Sequence, residues 1–187
     1  MTESASNTIQ PPQNPAGDFE SRSSLTQSDR GLIIEEMEQI PRRWQTVINQ
    51  LPQDGLDVKY RNWTIRQITH HIADSHANSY IRFKWALTEI QPRIKAYDEA
   101  AWVALPDSTQ GDVEQPLAFL KGIHIKWCQL LSSMTESDFQ KTFVHPETDS
   151  VHKLDDVLQY YPWHSRHHLG QILWLARQNE WPIELDY

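Results

Sequence analysis

The chain has 187 residues, a formal charge of −8 and a single cysteine, Cys128. That length suits one domain with a sizeable core, and one cysteine rules out an intramolecular disulfide and fits a reducing compartment, so the expected location is the cytoplasm. Scattered basic residues in an acidic chain give no footprint for nucleic acid, and neither a leader-like N-terminus nor a bilayer-length apolar run is visible, so no membrane partner is expected.

Residues 1–26 are rich in Ser, Thr, Asn, Gln and Pro, a composition that buries little apolar surface and predicts a flexible N-terminal arm ahead of a domain spanning 27–187. From Ser28, Ile33, Ile34, Met37, Ile40, Trp44, Val47, Ile48 and Leu51 recur at three and four residues, predicting a first helix with Pro41 as a kink. A second helix is predicted over 63–88 from Ile65, Ile68, Ile72, Phe83 and Ala86, with Asn62 as its N-cap. The segment "IQPRIKAYDEAAWVALPDSTQGDVEQP" is too long and Pro-rich for a tight turn and accommodates one short helix near 98–104. Third and fourth helices are predicted over 116–134 and 154–178, the last bent at Pro162. No alternating run of strand length is present, so the expected fold is all-α: a four-helix bundle with a long crossover loop.

Six of the nine histidines fall in two clusters, "THHIADSH" and "WHSRHH". Successive helical residues turn by about 100°, so His164 and His168 share one face, about 80° and 40° from the apolar centre at Ile172. Two imidazoles so placed can share one metal ion, and a catalytic site needs a third ligand from another element. On the second helix both His71, beside a polar seam with Ser75, Asn78 and Arg82, and the inward His76 satisfy the geometry. His70 points nearly opposite the core, and His167 outward. Taken singly, His70, His76, His124, His145 and His152 are read as hydrogen-bonded structural residues.

The strings "WTIRQITHHIADSHANSYIRFKWALTE", "YDEAAW" and "YYPWHSRHHLGQI" resemble the DinB superfamily, and within it the YfiT-like metal-dependent hydrolases, a group that includes bacillithiol S-transferase-type members. The resemblance covers roughly 28–181. It implies a four-helix bundle, usually a homodimer, that binds one divalent metal, zinc or nickel, through three histidines; by position these are His71, His164 and His168. The chain departs from the family pattern at "YRNW", where extra glycines are common, and at Pro162.

Three neutral imidazoles leave the cation's charge uncompensated, which suits activation of water for hydrolysis of a small-molecule substrate. Asn78, Arg82 and Tyr160 are the candidates for orienting substrate or stabilising an oxyanion. No general base is evident, since Asp74 points about 160° from the apolar stripe. The alternative is an S-transferase in which the metal deprotonates a low-molecular-weight thiol, which needs no protein base. A non-enzymatic reading, a metal staple or small-ligand sensor, needs a fourth protein ligand such as His76 or His124. Cys128 is expected to be an inert buried thiol.

Overall fold

The computed structural model describes residues 10–185. Four long helices form a bundle: α1 (Gln27–Ile48), α2 (Ile65–Thr88), α5 (Glu114–Ser133) and α7 (Leu154–Gln178). Helices α1 and α2 each pack on both α5 and α7. Their apolar stripes meet in one core, where Met37, Trp44, Ile72, Phe83, Leu120, Trp127, Leu158 and Ile172 are fully buried. No helix among the described residues is long and apolar enough to cross a membrane.

Local chemistry sets the helix starts. Thr26 and Asp29 form a capping box that opens α1, and Thr64 with Gln67 forms one that opens α2. The N-cap of α2 is therefore Thr64 instead of the expected Asn62, because Thr64 has the Gln three residues on that completes the reciprocal bonds. Pro41 and Pro162 lie inside their helices, which continue past them.

The connections depart most from expectation. The crossover carries two short helices, α3 (Glu99–Val103) and α4 (Pro106–Gln110), and α6 (Glu136–Phe139) follows α5. Strand is also present, as two antiparallel hairpins: β1 (Lys59–Tyr60) with β2 (Trp63–Thr64), and β3 (Thr142–His145) with β4 (Ser150–Lys153). Strands of two to four residues are too short to show a period. They form because the bundle supplies neighbours: Phe143 is buried, and Val144 bonds to Pro92 and Ile94 of the crossover. At the turn of the first hairpin Arg61 has φ 56°, a left-handed conformation that glycine adopts without strain, in the "YRNW" stretch.

Residues 10–26, the described part of the expected arm, lie along the bundle. The Trp163 indole donates to the Gly17 carbonyl at 2.9 Å, Arg61 to that of Pro11 at 2.8 Å, and the Tyr60 hydroxyl to that of Pro12. Pro15 rests on Gly170, Phe19 stands edge-on to Tyr160, and Leu25 is buried. Leu25→Ala is accordingly expected to lower unfolding free energy by about 2 kcal/mol in chemical denaturation. A change too small to measure would mean that this segment is only loosely attached.

Candidate metal centre

The fourth helix delivers His164 and His168 from successive turns, and α2 delivers His71 across the α2–α7 interface. Their Nε2 atoms converge: His164 to His168 is 3.1 Å and His164 to His71 is 3.4 Å. All three are buried, with ligand atoms within 4.8 Å of one another. Bonds of about 2.0 Å in a tetrahedral shell put neighbouring ligand atoms about 3.3 Å apart, so the spacing fits a zinc-sized cation.

Electrostatics favours the metal-ready state. Burial, followed by the neighbouring imidazoles, drives the pKa of His164 and His168 well below the ordinary value, and burial takes His71 to about 4. All three are thus neutral and able to coordinate at pH 7. His168 Nδ1 lies 3.0 Å from Gln171 Oε1, which fixes its hydrogen on Nδ1 and its lone pair on Nε2. Gln171 then donates its amide to His167 Nε2 at 3.0 Å, which places His167 behind His168 and outside the trio.

Aromatic rings wall the centre. Trp63 of β2 lies 4.9 Å from His71 and stacks on His168 at 6.5 Å, and Tyr160 stacks on His164 at 5.5 Å between ring centres. Trp63 was not singled out from sequence: it was expected to open the second helix, whereas it lies in β2, and the β1–β2 hairpin brings it to the site. Gln171, three residues after His168, was legible as a same-face neighbour.

The candidate substrate contacts divide. Tyr160 adjoins the trio, and burial pushes its hydroxyl up to about 12, keeping it a hydrogen-bond donor. Arg82 is half-buried, and its Nε has no acceptor among the described residues. Asn78 donates its amide to the Asp74 carbonyl of its own helix at 2.9 Å. Burial and then Asp107 raise Asp74 to about 6, but it belongs to the side facing the crossover.

Three further histidines lie outside the trio. His70, expected to point outward, is 7 % exposed, because Gly111 and the end of α4 close over it. His76 Nδ1 and His124 Nε2 bond each other at 2.7 Å, and neither histidine belongs to the cluster of ligand atoms that His71, His164 and His168 form. Cys128 is buried, and its thiol is pushed up to about 12 by burial, as an inert residue requires. A cavity of about 690 Å³ between α1 and α5 borders His124 and Cys128, but none of the trio lines it.

The buried neutral histidines predict acid sensitivity of the metal-free protein. Both His71 and His124 are held at about 4, chiefly by burial, against an ordinary value of 6.5. Below pH 6.5 the unfolded chain takes up protons that the folded chain refuses, so stability is lost as pH falls from about 6.5 to about 4. Each contributes a slope of roughly 1.4 kcal/mol per pH unit in that window. Denaturation of metal-free protein at pH 7 and pH 5 measures it; equal stability would contradict the burial.

Comparison with known proteins agrees with this architecture. The DinB superfamily model matches residues 36–172. YfiT of Bacillus subtilis is 40% identical over 169 residues, 89% of this chain and 95% of that protein. A Bacillus cereus (strain 03BB102) relative, named like YfiT as a candidate metal-dependent hydrolase, is 43% identical over 169 residues, 89% and 96% of the two chains. The solved YfiT structure, described as a probable metal-dependent hydrolase with an unusual four-helix bundle topology, superposes with a TM-score of 0.88 at 39% identity, covering 90% of this chain and 98% of that one. This chain belongs to the DinB superfamily.

Proposed function

We propose that the protein is a metal-dependent hydrolase whose divalent cation is held by His71, His164 and His168. The observation that carries this reading is the convergence of three buried, neutral Nε2 atoms at the spacing of a coordination shell. A cation there supplies Lewis acidity and brings the pKa of a coordinated water toward ~7. The chain's own residues hold the three lone pairs in place, exclude bulk water with Trp63 and Tyr160, and leave a fourth position without a protein ligand among the described residues. Tyr160, whose ring stacks on His164, would donate a hydrogen bond to an oxyanion formed there. Arg82, with an unsatisfied Nε, would hold an acceptor group of the substrate farther along α2. The relatives' designation as metal-dependent hydrolases supports the reaction class; zinc and nickel both suit an all-imidazole set.

The test is hydrolysis of a panel of simple esters and amides by zinc- or nickel-loaded protein, with and without chelator. Thiol-independent turnover that chelation abolishes is expected. Turnover of electrophiles only after addition of a low-molecular-weight thiol would overturn hydrolysis in favour of thiol transfer at the same centre.

A further inference from the structure

We propose that His76 is a positioning residue for the metal ligand His164, its bare Nε2 accepting, through one bridging water, the hydrogen that His164 carries on Nδ1. The inference rests on the metal reading above and concerns a residue outside the ligand set.

The hydrogen positions of His124 and His76 fix one another in turn. The Met37 carbonyl can only accept, and His124 Nδ1 lies 2.7 Å from it, so that nitrogen bears the hydrogen. Burial keeps His124 neutral, which leaves its Nε2 bare. His76 Nδ1 is 2.7 Å from that bare nitrogen and must donate to it. His76 is fully buried and neutral, so its remaining nitrogen, Nε2, is a lone pair with no donor among the described residues.

His164 presents the complementary need. With its Nε2 lone pair given to a cation, as the metal reading requires, its hydrogen sits on Nδ1, which is buried and has no acceptor among the described residues. Buried orphans of this kind are rare, and here a donor and an acceptor belong to neighbouring rings, 5.8 Å apart and tilted by 34°. His164 is the only one of the three ligands whose ring contacts that of His76 among the described residues. No direct hydrogen bond joins the two nitrogens, and one water donating to the one and accepting from the other would satisfy both. His168 meets the same requirement through Gln171. The result is a relay from the α1 backbone through α5 and α2 to the ligand on α7, which holds His164 in the tautomer and orientation that coordination needs.

Ring-nitrogen NMR of metal-free wild-type protein tests the arrangement without any variant. The expected result is hydrogen on Nδ1 of both His76 and His124; hydrogen on His76 Nε2 overturns the proposal. In zinc(II) titrations, His76→Phe is expected to weaken binding about 10- to 100-fold and to scramble the His164 tautomer, and His76→Gln, which keeps an acceptor oxygen near the site of Nε2, to recover most of the affinity. A folded His76→Phe protein with wild-type zinc affinity overturns it. Wild-type protein that shows the expected tautomers but takes up no zinc(II) would instead overturn the metal reading on which the role depends.

Discussion

His164→Ala is expected to strip the metal centre, weakening metal affinity by more than about 100-fold, beyond the 10- to 100-fold that loss of an outer partner costs. His164 is the hinge of the trio: its Nε2 is 3.1 Å from that of His168 and 3.4 Å from that of His71. Without it the two remaining imidazoles belong to different helices and cannot close a shell. His71→Ala and His168→Ala are expected to behave alike. His167→Ala should do much less, since His167 lies outside the trio, bonded to Gln171 and edge-on to the His168 ring at 4.9 Å. Because a cation binds the folded state alone, chelator should lower the melting temperature of wild type but not of the ligand variants; metal at 1,000 times its Kd adds about 4 kcal/mol of stability. Elemental analysis of the purified variants reads the first effect directly. Full metal content in His164→Ala together with an empty site in His167→Ala would mean that the other face of α7 binds the ion.

The second large effect lies away from the site. Arg30, 4 % exposed, donates Nε to Asp155 Oδ1 at 2.8 Å and Nη2 to Oδ2 at 3.0 Å, and its Nη1 reaches Glu136 at 2.5 Å. The pair ties the start of α1 to the start of α7, and Asp155 is itself buried. Asp155→Ala leaves a buried guanidinium with only an exposed carboxylate beside it, and should cost about 3 kcal/mol. Against a total of roughly 5–15 kcal/mol for a domain, that is a large fraction. The double change Arg30→Met with Asp155→Leu should restore most of the loss, because it removes the charge that lacks a partner. Chemical denaturation measures both; a loss below about 1 kcal/mol in the single variant would show that water reaches Arg30.

Elements whose stripe runs many turns were legible before the structure. The fourth helix occupies 154–178 as its apolar spacing requires, and the i, i+4 placement of His164 and His168 follows from helix geometry alone. What escaped depends on partners distant in sequence. Helix α4 and both hairpins are too short to carry a period and form against the bundle. His70 was placed in solvent because a helical wheel knows nothing of the crossover that covers it. His71 and His76 could not be separated by facing, since both are buried. They differ because His71 Nε2 meets that of His164 at 3.4 Å, whereas His76 lies outside the cluster and bonds His124 on α5, relations that exist only once the helices are packed. The Arg30–Asp155 pair, 125 residues apart in the chain, is of the same kind.

The function proposed for the protein depends on the coordination of one ion. A crystal structure of zinc- or nickel-loaded protein, with the ion placed by its anomalous signal, is predicted to show a single divalent cation bonded at about 2.0–2.1 Å to Nε2 of His71, His164 and His168, with a further position open to solvent or substrate. An ion held by any other histidine, or a fourth protein ligand closing the shell, would contradict it.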